Sequence, residues 1–152
     1  MIEAVIFDYG RTLYDPVAGR LFPEADKVLN NLVNRQIRLG LVTIAVDTQL
    51  RRQELTRFGI EELFSSIDVV DLRKRKDFTV TLEALKTNPQ QCVVIGDSLK
   101  REITEGNRIG AVTIWTRQRL FSSRQPRNDL ERPKAVIDSL GELIPKIDEL
   151  NS

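Results

Sequence analysis

Asp8 and Asp97 each stand where an apolar run surfaces, after Val5-Ile6-Phe7 and after Val93-Val94-Ile95-Gly96. A carboxylate at the end of a buried strand is held rigidly at the domain edge, where it can serve as nucleophile or metal ligand. Taken alone, Asp8-Tyr9-Gly10 reads more simply as the start of a turn, so the rest of the chain has to decide. Thr43 closes a second apolar run, Ile37 to Thr43, and the basic run Arg73-Lys74-Arg75-Lys76 follows a third. The chain contains no histidine. That excludes Ser-His-Asp and Cys-His catalysis, imidazole zinc sites and a histidine general base. Carboxylates, hydroxyls, Lys, Arg and hard metal ions remain.

These residues depend on an alternation of strands and helices for their placement. A first strand, Ile2 to Phe7, is followed by a helix entered at Pro23, with Ala25, Val28, Leu29, Leu32 and Val33 on one face. After Thr43, Asp47 or Thr48 is placed to cap a helix carrying Leu50, Leu55 and Phe58, which Gly59 stops. Ile67 to Val70 is a short strand, and Phe78, Leu82 and Leu85 mark the next helix. Cys92 to Ile95 leads through Gly96-Asp97-Ser98 into a helix with Leu99 and Ile103 that ends near Gly110. Ala111 to Trp115 and Ala135 to Ile137 are further strands. The apolar spacing of the tail is helical, and Pro145 requires that helix to be kinked or to start late. Nearly continuous apolar strands alternating with helices predict a doubly wound, Rossmann-like parallel sheet in a three-layer α/β/α domain. Right-handed crossovers bring the C-terminal ends of its strands to one edge, where ligands bind. Asp8, Thr43 and Asp97 all stand on that edge, beside the basic run.

Composition sets the outer bounds. The 152 residues, 41% apolar and 30% charged, suffice for one soluble domain spanning residues 1–152. A formal charge of +1 gives no bias toward nucleic acid or membrane. No apolar run reaches membrane-spanning length and no leader pattern precedes the first strand, so a cytoplasmic location is expected. Cys92 is the single cysteine, set among apolar neighbours as a small buried hydrophobe. Two carboxylates, a hydroxyl and a lysine at one sheet edge make up a phosphoryl-transfer kit. Carboxylate oxygens suit Mg²⁺, a carboxylate can attack phosphorus, and the hydroxyl and lysine neutralise the equatorial oxygens.

In order and over nearly the whole length, the chain resembles the haloacid dehalogenase-like (HAD) hydrolase superfamily. Phe7-Asp8-Tyr9-Gly10-Arg11-Thr12-Leu13 is similar to that superfamily's first motif, Asp-x-Asp-x-Thr-Leu, with the second Asp replaced. Leu41-Val42-Thr43 is similar to the second motif. Lys76 before Phe78 is similar to the third, with Lys74 as the alternative. Val94 to Glu102, with Asp97 and an acid five positions on, is similar to the fourth. The resemblance implies a Mg²⁺-dependent phosphatase in which Asp8 is nucleophile and metal ligand and the Gly10 carbonyl also ligates the ion. It further implies that Thr43 and Lys76 hold the phosphoryl group of a phosphorylated substrate, small or macromolecular. Asp97 would be the second side-chain ligand, with Glu102 supporting it.

Gly10 is the main departure. The Asp that the superfamily's phosphatases carry there protonates the leaving group and then activates water, help worth roughly 10²–10⁴ in rate. The alternatives are slow turnover, another group in its place, with Asp15 and Glu24 nearby in sequence, or a catalytically weakened phosphoryl- or metal-binding regulatory module. The superfamily's dehalogenases also lack the second Asp, but they use a helical cap inserted after the first motif. About nine residues, Tyr14 to Phe22, separate that motif from the first helix here, so no cap is expected. A macromolecular substrate, a partner subunit or a loop is then needed to close an open site. The loop Thr116 to Pro133 carries Arg117, Arg119, Arg124, Arg127 and Arg132 around Leu120 and Phe121. It reads equally as a phosphate-steering loop or as a solvated one, while nucleic-acid binding is weakly supported.

Overall fold

The computed structural model describes residues 1–72, 74–118 and 124–152. Arg73 of the basic run, and Arg119, Leu120 and Phe121 of the arginine loop, lie outside the described residues. The first half of the chain runs β1 (Ala4–Phe7), β2 (Tyr14–Asp15), β3 (Arg20–Leu21), α1 (Ala25–Asn34), β4 (Arg38–Ala45), α2 (Thr48–Arg57) and β5 (Ser66–Asp71). The second runs α3 (Phe78–Leu85), β6 (Cys92–Gly96), α4 (Thr104–Arg108), β7 (Val112–Thr116), β8 (Ala135–Ile137) and α5 (Leu143–Asn151). Six strands form one sheet in the order β5-β4-β1-β6-β7-β8, with every neighbouring pair parallel.

β1 lies inside this sheet, and all four of its residues are buried because helices cover both faces. Successive side chains point to opposite faces. Val5 and Phe7 join Leu29 and Leu32 of α1 and Leu143 and Ile147 of α5 on one side. Ala4 and Ile6 join Phe78, Leu82 and Leu85 of α3 on the other. This is the doubly wound α/β/α architecture expected from the alternation. At roughly 25 cal/mol per Å², burying such aliphatic side chains supplies most of the drive to fold, and it fixes the strand register that aligns the functional edge.

Several expected details shift. Pairing of the first strand begins at Ala4, after Ile2 has tied its N–H to Asn151. Leu50 is exposed and Val33 lies at the margin of its helix face. Leu50 and Leu55 are five residues apart, too far round a helix to share one stripe, so α2 buries Leu55 and turns Leu50 to solvent. Asp47 caps α2 by accepting from the N–H groups of Gln49 and Leu50, both at 3.0 Å. Leu99–Ile103 forms a π-helical turn before α4. The C-terminal helix does start late. A turn of 3₁₀ helix, Leu140–Glu142, precedes it, which puts Pro145 within the first turn of α5, where the missing N–H has no intrahelical acceptor to lose.

Tyr14 to Phe22 contains the small antiparallel hairpin β2–β3. Among the described residues, no element between β1 and α1, or between β4 and α3, is large enough to form a separate cap. No helix among them is long and apolar enough to cross a membrane.

Candidate active site

Parallel pairing brings the ends of β1, β4 and β6 together, and the expected residues converge there. Asp8 continues β1, its N–H donating to the Ile95 carbonyl at 3.0 Å. Asp97 directly follows β6, and the Trp115 indole N–H donates to its backbone carbonyl at 2.9 Å. Thr43 lies within β4, buried. Lys76 precedes α3, whose N-cap Asp77 accepts from the Thr79 N–H at 3.0 Å. Lys76, and not Lys74, carries its ammonium to the carboxylates, donating to Asp8 Oδ1 at 2.5 Å and Glu102 Oε2 at 3.0 Å. Glu102 also accepts from the Ser98 N–H through Oε1 at 3.2 Å.

One ammonium therefore faces three carboxylates. Oxygens of Asp8, Asp97 and Glu102 lie within 4.8 Å of one another. Burial pushes the Asp97 carboxyl well above the usual carboxylate range, and the neighbouring Asp8 and Glu102 carboxylates push it further. Glu102 is raised for the same reasons, burial first and then Asp8, with Lys76 opposing. For Lys76, burial works against the charge, but Asp8 and Glu102 outweigh it and hold the ammonium above its ordinary pKa. The cluster is short of positive charge.

Gly96 makes room for Glu102. A Cβ built at Gly96 would come 2.4 Å from Glu102 Cγ and 2.6 Å from its Cβ. Gly96→Ala must displace the stem of Glu102, an overpacking that costs typically about 1–3 kcal/mol. The expected outcome is a lower midpoint in denaturant melts together with reduced turnover; an unchanged midpoint would show that Glu102 moves freely.

The cleft in front of this cluster has a volume of about 380 Å³, and Asp8, Gly10, Thr43, Lys76, Asp97 and Glu102 all line it. The structure also brings to it residues whose role was not expected: Tyr9, Arg51, Glu54 and Arg101. Arg51 Nη1 donates to Thr43 Oγ1, and its guanidinium carbon lies 4.5 Å over the Tyr9 ring centroid. The Tyr9 hydroxyl donates to Glu54 Oε1 at 2.9 Å. Burial, then Glu54, raises the Tyr9 phenol, so it stays a donor. Arg51 and Glu54 lie three residues apart, about one helical turn, in the middle of α2, the helix that follows Thr43.

Neither sequence candidate for the missing acid is in the cleft. Asp15 Oδ1 accepts from the Val17 N–H at 3.0 Å and closes the hairpin turn, while Glu24 sits at the start of α1. Glu54 is the further carboxylate that lines the cleft. In the arginine loop, Arg117 donates to Asp138 at 2.8 Å, Arg127 to Glu131 at 3.1 Å, and Arg132 lies 3.5 Å from Asp129. These three are engaged by carboxylates of their own neighbourhood and line no part of the cleft.

The described residues form an α/β domain with this edge cluster and no separate cap, and comparison with known proteins identifies the family. The chain belongs to the haloacid dehalogenase-like hydrolase family, whose model matches residues 1–116. It is 29% identical over 134 residues to the glyceraldehyde 3-phosphate phosphatase of Methanopyrus kandleri, covering 85% of this chain and 57% of that protein. The chain thus spans little more than half the length of this curated relative. The putative HAD-hydrolase YfnB of Bacillus subtilis, solved bound to magnesium, superposes with a TM-score of 0.81 at 16% identity, over 97% of this chain and 99% of that one. A predicted phosphoglycolate phosphatase of Haemophilus somnus 129pt gives 0.70 at 22% identity, over 84% of this chain and 57% of that one. At these identities the structural likeness speaks for the fold.

Proposed function

We propose that this hydrolase is a cytoplasmic, Mg²⁺-dependent phosphomonoester phosphatase acting through an aspartyl-phosphate on Asp8. The observation that carries the reading is the Lys76 ammonium clamped between Asp8 and Glu102 beside Asp97. A phosphate monoester entering the cleft meets the Asp8 carboxylate in front and the cations Lys76 and Arg51 at its flank. An Asp8 oxygen forms a bond to phosphorus while the bond from phosphorus to the ester oxygen breaks, and water then cleaves the acyl-phosphate. Lys76 and the Thr43 hydroxyl offset charge on the equatorial oxygens. Glu54, the further carboxylate lining the cleft, takes on the proton transfers to the leaving alkoxide and from water, the work for which Gly10 has no side chain.

The residues fit a hard divalent cation, because three buried or half-buried carboxylates crowd together with a single lysine between them. Both Glu102 oxygens are engaged, which leaves Asp8 and Asp97, with the Gly10 carbonyl, to hold the ion. When bound, Mg²⁺ supplies positive charge to the phosphoryl oxygens.

A screen of phosphomonoesters with Mg²⁺ and with EDTA tests the reading. Turnover is expected with the metal and should vanish with the chelator. Turnover that survives Asp8→Asn would remove the proposed nucleophile. Gly10 keeps a second reading in view, a regulatory module that assembles the site without turning over. Beryllium fluoride trapping with Mg²⁺, in the absence of any phosphatase activity, would favour it.

A further inference from the structure

A second cavity adjoins the active-site cleft. It has a volume of about 360 Å³ and shares Ile44, Lys76 and Arg101 as a common wall with the cleft. Besides Lys76, the cations Lys74, Arg75, Lys100, Arg101 and Arg108 surround it, against one lining carboxylate, Glu105. Glu105 is shared by Arg75 at 2.9 Å and Arg108 at 3.6 Å. Among the described residues, neither Lys74 nor Arg101 pairs with a carboxylate. The whole chain is nearly neutral, with 23 basic and 22 acidic residues, so this excess is local.

Resting on the phosphatase reading, we propose that the basic cavity is a subsite for a second anionic group, making the preferred substrate a small phosphomonoester that carries another phosphate or a carboxylate. Concentrated cations in a concave site raise the local concentration of anions and bind them more strongly than the same charges spread over a flat surface. Arg101 lines both spaces, so a substrate with its scissile phosphate before Asp8 reaches the second group across this residue. A compact cavity suits a single small group. An extended nucleic-acid backbone would need a longer basic track, which the near-neutral chain argues against.

The subsite lies outside the reacting atoms, which makes it separable from catalysis. Lys74 and Arg108 line the basic cavity and not the cleft, and both are exposed. The experiment compares kcat/KM for fructose 1,6-bisphosphate, 3-phosphoglycerate and fructose 6-phosphate, in the wild-type chain and in the Lys74→Glu/Arg108→Glu variant. With p-nitrophenyl phosphate as reference, the two anion-bearing substrates are expected to lead fructose 6-phosphate by about tenfold in the wild type, through KM. The variant should lose that lead while turning over p-nitrophenyl phosphate as before. If only the bisphosphate leads, the second group is a phosphate; if 3-phosphoglycerate leads equally, any small anion serves. Equal values for all three substrates, or a lead that survives charge reversal, would overturn the subsite.

Should no ester be hydrolysed, the phosphatase reading fails, and the subsite is then read from thermal-shift titration with fructose 1,6-bisphosphate. Stabilisation of the wild type alone supports it, and stabilisation of neither chain overturns it. Lys74→Ala replaces the double variant if that one does not fold. A single-stranded oligonucleotide bound more tightly than the bisphosphate would overturn the small-molecule assignment.

Discussion

Replacing Gly10 by aspartate should raise kcat for p-nitrophenyl phosphate and other phosphomonoesters by about 10², the lower end of what a positioned general acid–base contributes. Such a gain from a single substitution is rare, and the geometry favours it here. A Cβ built at Gly10 meets no heavy atom within 4 Å, and Gly10 is not among the glycines with positive φ, so a side chain enters without strain. Gly10 lines the same cleft as Asp8, two residues on, so a carboxylate placed there enters the space in front of the proposed nucleophile. The substitution also tests Glu54. If Glu54 serves as acid in the native chain, Glu54→Gln lowers kcat there but costs little in the Gly10→Asp background. That non-additivity is the signature of two groups sharing one task. Equal losses in both backgrounds would remove Glu54 from acid–base work, and a Gly10→Asp chain no faster than wild type would show that proton transfer does not limit turnover.

The large features of this fold were legible in the chain for a simple reason. Strands buried on both faces are continuous apolar runs, and Val5-Ile6-Phe7, Leu39 to Val42 and Cys92 to Ile95 needed no tertiary information to be recognised. Because parallel strands with right-handed crossovers end at one edge, the convergence of Asp8, Thr43 and Asp97 followed from topology alone. What could not be read depends on long-range contact. Lys76 is favoured by its place before Phe78 but Lys74 stays open as sequence, and only the path into α3 shows which of them is buried against Asp8 and Glu102. Arg51 and Glu54 belong to a helix studded with charge, and nothing local distinguishes two residues facing a cleft from their solvated neighbours. β2 and β3 are two residues each, too short for any periodicity to register. In the arginine loop composition leaves two readings open, because a count of guanidinium groups does not reveal that Arg117 and Arg127 are engaged by Asp138 and Glu131.

Asp97→Asn should cut turnover sharply and yet make the metal-free protein more stable at alkaline pH. Burial, then the Asp8 and Glu102 carboxylates, raise the Asp97 carboxyl to about 8. A group whose folded-state pKa lies above its unfolded value stabilises the fold when protonated, and that contribution is lost as pH climbs through the folded pKa. For Asp97 the loss runs from the ordinary carboxylate value near 4 up to about 8, so wild type in EDTA should melt lower at pH 8.5 than at pH 6. Asparagine has the same shape, can still donate to the Asp8 carboxylate, and carries no charge to bury. At pH 8.5 in EDTA the variant is expected to gain about 1–2 kcal/mol, or roughly 3–6 °C in Tm, and most of that difference should disappear by pH 5. Adding Mg²⁺ should reverse the ranking, because a cation that binds only the folded state stabilises the chain holding both carboxylates and does little for the Asp97→Asn chain. Turnover should fall by roughly 10²–10³, the scale of losing one charge-stabilising element of a site. A variant that melts below wild type in EDTA at pH 8.5 would mean that the Asp97 carboxylate is compensated in the folded protein, and that the shortage of positive charge from which the metal site is argued does not exist.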